Sequence, residues 1–406
     1  MWQILAVSVM ATVGAELEVH VTTLRGDQLV GKLVSVSPED MVIQTAAGRQ
    51  VLVAGELLSV VPSIVDSLSP LVGIPATSVG LVDGSLLRAT GYVVENGRAT
   101  IHLSEGGVVR TSTEKIQYVR FKKQDATIRK QWQDILKGDR SGDVIVVRKT
   151  SSSKQDEPIA VALDHLEGIL DDMTNEAVAF EYDGDRANVS RSRVEGVVYH
   201  HPRPSPSRAL VCQLLGLSES RWNVKSLRIR ENELELVSCA GVRCTMPLDQ
   251  VAKFDYSPAN LVYLSDLEPE SETWRPHVFS RVTPPSVSQW FRPRDNLPML
   301  LRGETYQNGL ALHSRTRLTY RLGQGYKRFL ASVGIDDRYR NEGNVFLRIS
   351  GNRGVLFEGD VHGGSEPLEL DLEVLGVRRL TILVDFGQDD TDLGDHLNLC
   401  NARFTK

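Results

Sequence analysis

The sequence predicts an all-β fold, with tandem small β-barrel or β-sheet repeats of the SH3 kind followed by a C-terminal jelly-roll-like β-sandwich. Three observations support this. Apolar and polar residues alternate with the period of half-buried strands, as in LTYRL at 318–322 and LTILVDF at 380–386. Gly, Asn and Asp turns separate these segments, which is typical of antiparallel sandwiches. A similar order of strands and turns recurs at intervals of roughly sixty residues before residue 266.

Length and charge narrow the functional class. A chain of 406 residues is long for one domain and predicts two to four units. The net charge of −6 argues against a general nucleic-acid binder, because phosphate contacts need clustered Lys and Arg. The sequence has no run of eighteen apolar residues, so we expect no integral membrane span.

The N-terminal stretch MWQILAVSVMATVGA, residues 1–15, is short and apolar and ends in small residues. This pattern predicts a signal peptide with cleavage after Ala15, and therefore a secreted, periplasmic or cell-surface protein. The alternatives are that the stretch is a first strand or that the start codon is misplaced.

The repeats are predicted at 16–62, 79–122, 142–200 and 208–266. Each has short apolar strands, a tight glycine turn and a closing apolar strand. One copy has too few strands to bury much alone, so we expect the copies to pack in pairs. They contain no recognisable site, and their expected role is that of a spacer or a platform for protein partners.

Two features lie within or between the repeats. Residues 124–137 place Ile128, Trp132 and Ile135 near one helical face, which predicts an amphipathic connector helix. Cys239 and Cys244 flank a turn, so the pair is either a hairpin disulfide or two buried thiols. The spacing of the four cysteines matches no zinc signature.

Four ordered motifs mark the C-terminal part: Gly-Leu-x-x-His-x-x-x-x-Leu-x-Tyr from Gly309, Tyr326-x-x-Phe, VGIDD from Val333, and Asp395-His396. Over about 278–405 the sequence resembles the novel carbohydrate-binding module domain. That family is related to carbohydrate-binding module family 51 and is found beside glycoside hydrolase family 98 catalytic domains. The resemblance implies a jelly-roll-like sandwich that binds sugar without cleaving it. Where the family usually has Asp-His-x-x-Trp, this sequence has Leu399 at the Trp position.

The family motifs provide His313, His396 and Asp395 as candidate sugar-binding residues, and Arg315, Tyr339 and Asn398 are secondary candidates. If the strand order brings them together, their imidazole and carboxylate groups can fix sugar hydroxyls through directed hydrogen bonds. The alternative is that the histidines are buried and hold a loop. The predicted carbohydrate-binding residues are His313, Arg315, Tyr339, Asp395, His396 and Asn398. None of the five Trp falls within 299–404, and Trp274 and Trp290 either cap the sandwich core or line a sugar cleft.

Asp336 and Asp337 are the candidate metal ligands. Oxygen-rich loops suit Ca²⁺, and the resemblance to family 51 implies a calcium association. The alternative is that these carboxylates are simply solvated. As adjacent residues on a strand they point to opposite faces, which argues against a glycosidase pair.

The sequence therefore predicts an exported, non-catalytic protein that recognises glycans through its C-terminal sandwich. Galactose-containing glycans are among the candidate ligands. The alternative is a structural or protein-interaction protein whose sandwich has lost sugar binding, as Leu399 would allow. An unrecognised glycoside hydrolase would need a carboxylate pair in a cleft.

Overall fold

A computed structural model describes residues 17–63, 77–123, 125–151, 160–201, 210–275 and 298–406. The predicted signal peptide at 1–15 and Trp290 lie outside these ranges. The chain divides into two compact units, Met1–Ala259 and Asn260–Lys406. Strands dominate both units, so the all-β prediction is confirmed.

Within the described ranges, the strands of the N-terminal unit fall into four groups of five. The first group is β1 Glu18–Thr23, β2 Gln28–Val36, β3 Asp40–Thr45, β4 Gly48–Val53 and β5 Leu57–Pro62. The second is β6 Thr77–Leu81, β7 Leu86–Glu95, β8 Arg98–Leu103, β9 Val108–Ser112 and β10 Ile116–Arg120. The third is β11 Asp143–Ser151, β12 Ala160–Met173, β13 Ala177–Tyr182, β14 Asp185–Ser190 and β15 Val194–Val198. The fourth is β16 Cys212–Gly216, β17 Arg221–Arg230, β18 Glu233–Ser238, β19 Arg243–Pro247 and β20 Val251–Asp255.

Each group has the same connectivity. Its first strand pairs antiparallel with both its second and its fifth strand, and a 3₁₀ turn precedes the fifth. Closing strands join the groups in pairs, β5 with β20 and β10 with β15. Five short strands bury little apolar surface alone, and this pairing lets neighbouring groups share a core.

A large apolar core fills the N-terminal unit, with Tyr92, Trp222 and Phe254 fully buried. Helix α1, Arg129–Lys137, lies within the predicted connector and packs its Trp132 against β11 and β15. One ion cluster is buried as well. The fully buried Glu195 accepts from Arg120 at 2.7 Å and also pairs with Arg148.

The C-terminal unit is a sandwich of two antiparallel sheets, which confirms the predicted fold of this part. One sheet contains β21 Leu261–Tyr263, β25 Gly309–His313, β27 Arg328–Ile335, β30 Leu368–Glu373 and β32 His396–Thr405. The other contains β22 Ser271–Trp274, β26 Thr316–Arg321, β28 Asn344–Gly351, β29 Gly354–His362 and β31 Arg379–Phe386. A separate hairpin consists of β23 Met299–Leu301 and β24 Glu304–Tyr306, and helix α2 spans Ser257–Asn260. Apolar side chains from both sheets, Phe329 and Ile382 among them, form one core.

The start of the C-terminal unit differs from the prediction. We expected the fourth repeat to reach 266 and the module to begin near 278. The structure instead pairs β21 with β32 and β22 with β26, so residues 260–275 belong to the sandwich. These strands are only three and four residues long and lack a clear alternation, which is why the segment resembles a linker. Trp274 is therefore part of this unit.

Two further features concern the helices and the cysteines. No helix in the described ranges has the length and apolar character to cross a membrane. None of the four cysteines, all within the described ranges, forms a disulfide, and the β18–β19 register pairs Cys244 with Leu236 and not with Cys239. The hairpin disulfide is therefore absent.

Candidate functional site

Two histidines from distant parts of the sequence meet on the sandwich. His313 ends β25 and His396 begins β32, and the two residues are direct cross-strand partners. Their ring centroids lie 4.1 Å apart in an edge-to-face arrangement. The neighbouring Leu312 and Leu397 are buried in the core, so alternation along the strands turns both imidazoles to the outer face.

Aromatic side chains extend this pair on both sides. Tyr339 stacks on His396 with ring centroids 3.5 Å apart and planes 3° apart. Trp274 lies with its ring centroid 6.3 Å from that of His313. All four side chains are half-buried. We call His313, His396, Tyr339 and Trp274 the imidazole–aromatic cluster.

The backbone holds Tyr339 firmly in place. It ends the 3₁₀ turn Asp337–Tyr339, and its N–H donates to the Asp336 carbonyl at 2.8 Å. The side chain of Asp336 caps the turn by accepting from the Arg338 N–H at 3.1 Å. Asp336 N–H donates in turn to the His396 carbonyl at 2.9 Å, so the turn is fixed to the start of β32. The sequence identified Tyr339 but not this geometry.

Arg315 lies at the tight turn between β25 and β26, in the left-handed region at φ 58°. Its guanidinium is half exposed, pairs with Asp385 at 3.6 Å and lies 5.3 Å from the centroid of Phe386. Its carbonyl accepts from the N–H of Arg275, the residue after Trp274. The structure therefore places Arg315 beside the Trp274 end of the imidazole–aromatic cluster.

Asp395 is fully buried, although it precedes His396 directly. One carboxylate oxygen accepts from the Asn344 N–H at 3.1 Å. Burial is the main cause that raises the pKa of Asp395 to about 6; the negative charges of Asp389 and Asp392 act in the same direction, and Ser314 and Asn344 act to lower it. The position of this carboxyl suits holding the loop before β32 and not surface contact with a ligand.

Asn398 is also buried, and its amide group is used inside the protein. The amide nitrogen donates to the Asp336 carboxylate at 2.8 Å and to the Leu300 carbonyl at 3.4 Å. Burial acts to raise the pKa of Asp336, but hydrogen bonds from Arg338 and Asn398 outweigh it and hold that pKa below its usual value. The prediction that Asn398 contacts sugar receives no support from this placement.

The two candidate calcium ligands already accept protein N–H groups. Asp336 accepts from the Arg338 guanidinium at 2.6 and 2.7 Å, and Asp337 accepts from the backbone N–H groups of Arg302 and Gly303 at 3.0 and 2.7 Å. A calcium ion needs six to eight oxygen ligands, which N–H donors cannot supply. Among the described residues, no three His, Cys, Asp or Glu side chains are grouped to hold a metal. The geometry does not favour a calcium site at Asp336 and Asp337.

Leu399, at the family Trp position, is fully buried and belongs to the sandwich core. Its cross-strand partners are Leu310 and Val333. Because the side chain faces the other sheet, a different residue here changes core packing and not the outer face that carries His396. Leu399 is therefore weak evidence for a lost ligand site.

Comparison with known proteins gives a family for this unit. Residues 260–405 match the model of the NPCBM/NEW2 domain, which supports the carbohydrate-binding module that the motifs of this part predicted. The match begins at 260, where the structure also begins the sandwich, and not at 278. No curated protein matches the sequence.

Solved structures similar to this chain include three with CBM51 modules. One, from a Clostridium perfringens GH95 protein in complex with methyl-galactose, is 22% identical, covering 36% of this chain and 99% of that one, with a TM-score of 0.31. Another contains the CBM51-2 domain in complex with GlcNAc and the INT domains of Clostridium perfringens ZmpB. It is 19% identical, covering 48% of this chain and 43% of that one, with a TM-score of 0.30. The third, tandem CBM51 modules of a family 98 glycoside hydrolase from Streptococcus pneumoniae, is 14% identical, covering 81% and 87%, with a TM-score of 0.30.

Proposed function

With residues 260–405 assigned to the NPCBM/NEW2 domain, we propose that this protein is an exported, non-catalytic glycan-binding protein whose ligand contacts the imidazole–aromatic cluster. The observation that carries the proposal is the cluster itself. It joins His313 to His396 across neighbouring strands and stacks Tyr339 on His396. Both histidines lie on motifs that first indicated the family.

The chemistry of the cluster suits a sugar. Trp274 and Tyr339 provide apolar ring surface for the C–H side of a pyranose, and the imidazole nitrogens provide directed hydrogen bonds for hydroxyl groups. The backbone of Arg315 lies beside the Trp274 end of the cluster, and its half-exposed guanidinium, which pairs with Asp385, is a candidate further donor. The rings sit on strand ends and a capped turn, so little order has to be gained on binding. Galactose-containing glycans are the first ligands to test.

The carboxylates near the cluster support a non-catalytic role. A glycosidase pair needs two carboxyl groups about 5–10 Å apart that face one substrate. Asp336 and Asp337 accept protein N–H groups, and Asp395 is buried. These three side chains hold loops in place.

A second candidate function rests on the N-terminal unit. Val30, Val34, Val51 and Val53 in the first strand group are between 44% and 61% exposed. Exposed apolar side chains that cluster on one sheet are typical of protein-interaction surfaces. The repeats would then bind a protein partner while the sandwich binds glycan.

The proposal is tested by a glycan array and calorimetric titration of the full chain, with and without Ca²⁺. We expect saturable binding that His396→Ala abolishes. His362→Ala is the matched control, because His362 is exposed on β29 of the same unit. Equal circular dichroism spectra and melting temperatures for the two variants would exclude unfolding as the cause. Binding that both variants retain would contradict the proposed site, and silence across the array from folded protein would favour the protein-interaction alternative.

A further inference from the structure

A basic groove lies in the N-terminal unit, where the β8–β9 hairpin meets the β18–β19 hairpin. Its volume is about 660 Å³. Its walls consist of residues 96–98, 110–115 and 241–243. They carry Arg98, Arg110, Lys115 and Arg243 against one acidic side chain, Glu114. This concentration of positive charge is unusual in a chain with a net charge of −6.

Strand register brings two of the arginines together. In the β8–β9 ladder Arg98 is opposite Ser112, and Thr100 is opposite Arg110. Side chains at such positions lie on one face of a hairpin, so Arg98 and Arg110 are diagonal neighbours within reach of one ligand. The intervening Ala99 faces the core, and both arginines point away from it.

Two contacts set the opposite wall. The Lys115 ammonium donates to the Gly241 carbonyl at 2.9 Å, and a Cβ at Gly107 would lie 2.8 Å from the Thr245 carbonyl. The β9 and β19 strands therefore run in opposite directions along the groove. Arg110 and Arg243 both line the groove, on β9 and β19 respectively.

The three arginines have no acidic partner. Arg98, Arg110 and Arg243 make no side-chain hydrogen bond or ion pair in the described structure, whereas Arg148 and Arg228 of the same unit pair with carboxylates. Like charges at neighbouring positions repel each other, and a bound anion would relieve that repulsion. A groove whose guanidinium groups have no carboxylate partner among the described residues suits oxyanions, which guanidinium binds in bidentate fashion.

We propose that this groove binds the carboxylate or sulfate groups of an acidic polysaccharide. Side chains of Asn96, Ser112 and Thr113 also line it and suit hydrogen bonding to sugar hydroxyls. No aromatic residue lines it, so the stacking platform typical of single-stranded nucleic-acid sites is missing from these walls. The site is separate from the imidazole–aromatic cluster and does not depend on the proposed function of the sandwich.

The test is calorimetric titration of the full chain with a heparin-derived tetrasaccharide, with trigalacturonic acid and with neutral maltotetraose. The first two probes distinguish sulfate from carboxylate as the source of charge. We expect binding to at least one acidic probe, weakened by added salt, and none to the neutral one. Arg110→Glu combined with Arg243→Glu should weaken it by about tenfold or more per arginine, since each loses a charge-assisted contact.

Arg25→Glu combined with Arg49→Glu is the charge-matched control, because both residues are exposed in the first strand group. This control should bind as the unaltered protein does. If the glutamate variant of the groove unfolds, Arg110→Gln combined with Arg243→Gln tests the same contacts. Three results would overturn the proposal: no binding of either acidic probe at low salt, equal loss in the control variant, or tighter binding of oligothymidine than of both acidic oligosaccharides.

Discussion

Replacing Asp395 with Asn should remove a pH dependence from the stability of the C-terminal unit. The carboxyl is fully buried, and one of its oxygens accepts from the Asn344 N–H. Its pKa rises from 3.8 to about 6 on folding, first because of burial. A raised pKa means that folding favours the protonated form. The contribution of Asp395 to stability is therefore complete below about pH 4 and is lost as the pH rises through about 6.

The magnitude follows from the size of the shift. About two pKa units correspond to about 3 kcal/mol, and residual solvent screening makes this an upper limit. Asparagine keeps an oxygen that can accept from the Asn344 N–H and never carries the charge. Between pH 4 and pH 8 the unaltered protein should therefore lose up to about 3 kcal/mol of unfolding free energy that Asp395→Asn does not lose.

The assay must report on one unit, because two units need not unfold together. Protein is equilibrated in urea at each pH, given a brief deuterium pulse at one fixed pH, and digested for mass spectrometry. Peptides from β32, at the centre of the sandwich, then give the unfolded fraction of the C-terminal unit. Glu373→Gln is the control, since Glu373 is exposed on β30. Parallel pH profiles for Asp395→Asn and the unaltered protein would refute the reasoning, as would a profile equally flattened by Glu373→Gln.

Three further predictions concern other parts of the chain. In urea titrations, Glu195→Gln should lower the unfolding free energy of the N-terminal unit by about 3 kcal/mol or more, because it leaves two largely buried arginines without their counter-charge. The control Glu235→Gln, on the surface, should lower it by under about 1 kcal/mol. Gly309→Ala should lower the melting temperature of the C-terminal unit, measured by calorimetry, because φ is 139° and the added Cβ would lie 2.2 Å from a backbone oxygen of the facing strand. Gly364→Ala, where the added Cβ meets open space, should leave this melting temperature unchanged. Burial raises the pKa of Cys400 to about 12, so iodoacetamide at pH 8 should modify this thiol only after unfolding. Peptide masses measure the modification, and rapid labelling of the native protein would contradict the buried placement of Cys400.

Local patterns predicted the strands, because alternation over five or more residues is visible within one segment. The pairing of Leu261–Tyr263 with the end of β32 was not predictable in this way. It joins residues at least 140 positions apart through a strand of three residues. The module boundary near 278 was placed too late for that reason.

The candidate site divides in the same manner. Motifs identified His313 and His396, but their contact depends on a cross-strand register that the sequence does not show. The sequence offers Asp395, through its family motif, and Asn398, as a secondary candidate, for contact with the ligand. Both side chains are buried, and the Asn398 amide donates a hydrogen bond to Asp336 inside the protein. Hydrogen-bond partners from other strands decide whether a polar residue near a site is available to a ligand.

The central claim is that a glycan binds at the imidazole–aromatic cluster. Its most direct test is NMR of the histidine side chains during titration with the best array ligand, with signals assigned by single His→Ala variants. The account predicts that the imidazole resonances of His313 and His396 shift in a saturable manner while that of His362 stays unchanged. Saturable binding that leaves the resonances of His313 and His396 unmoved would contradict it.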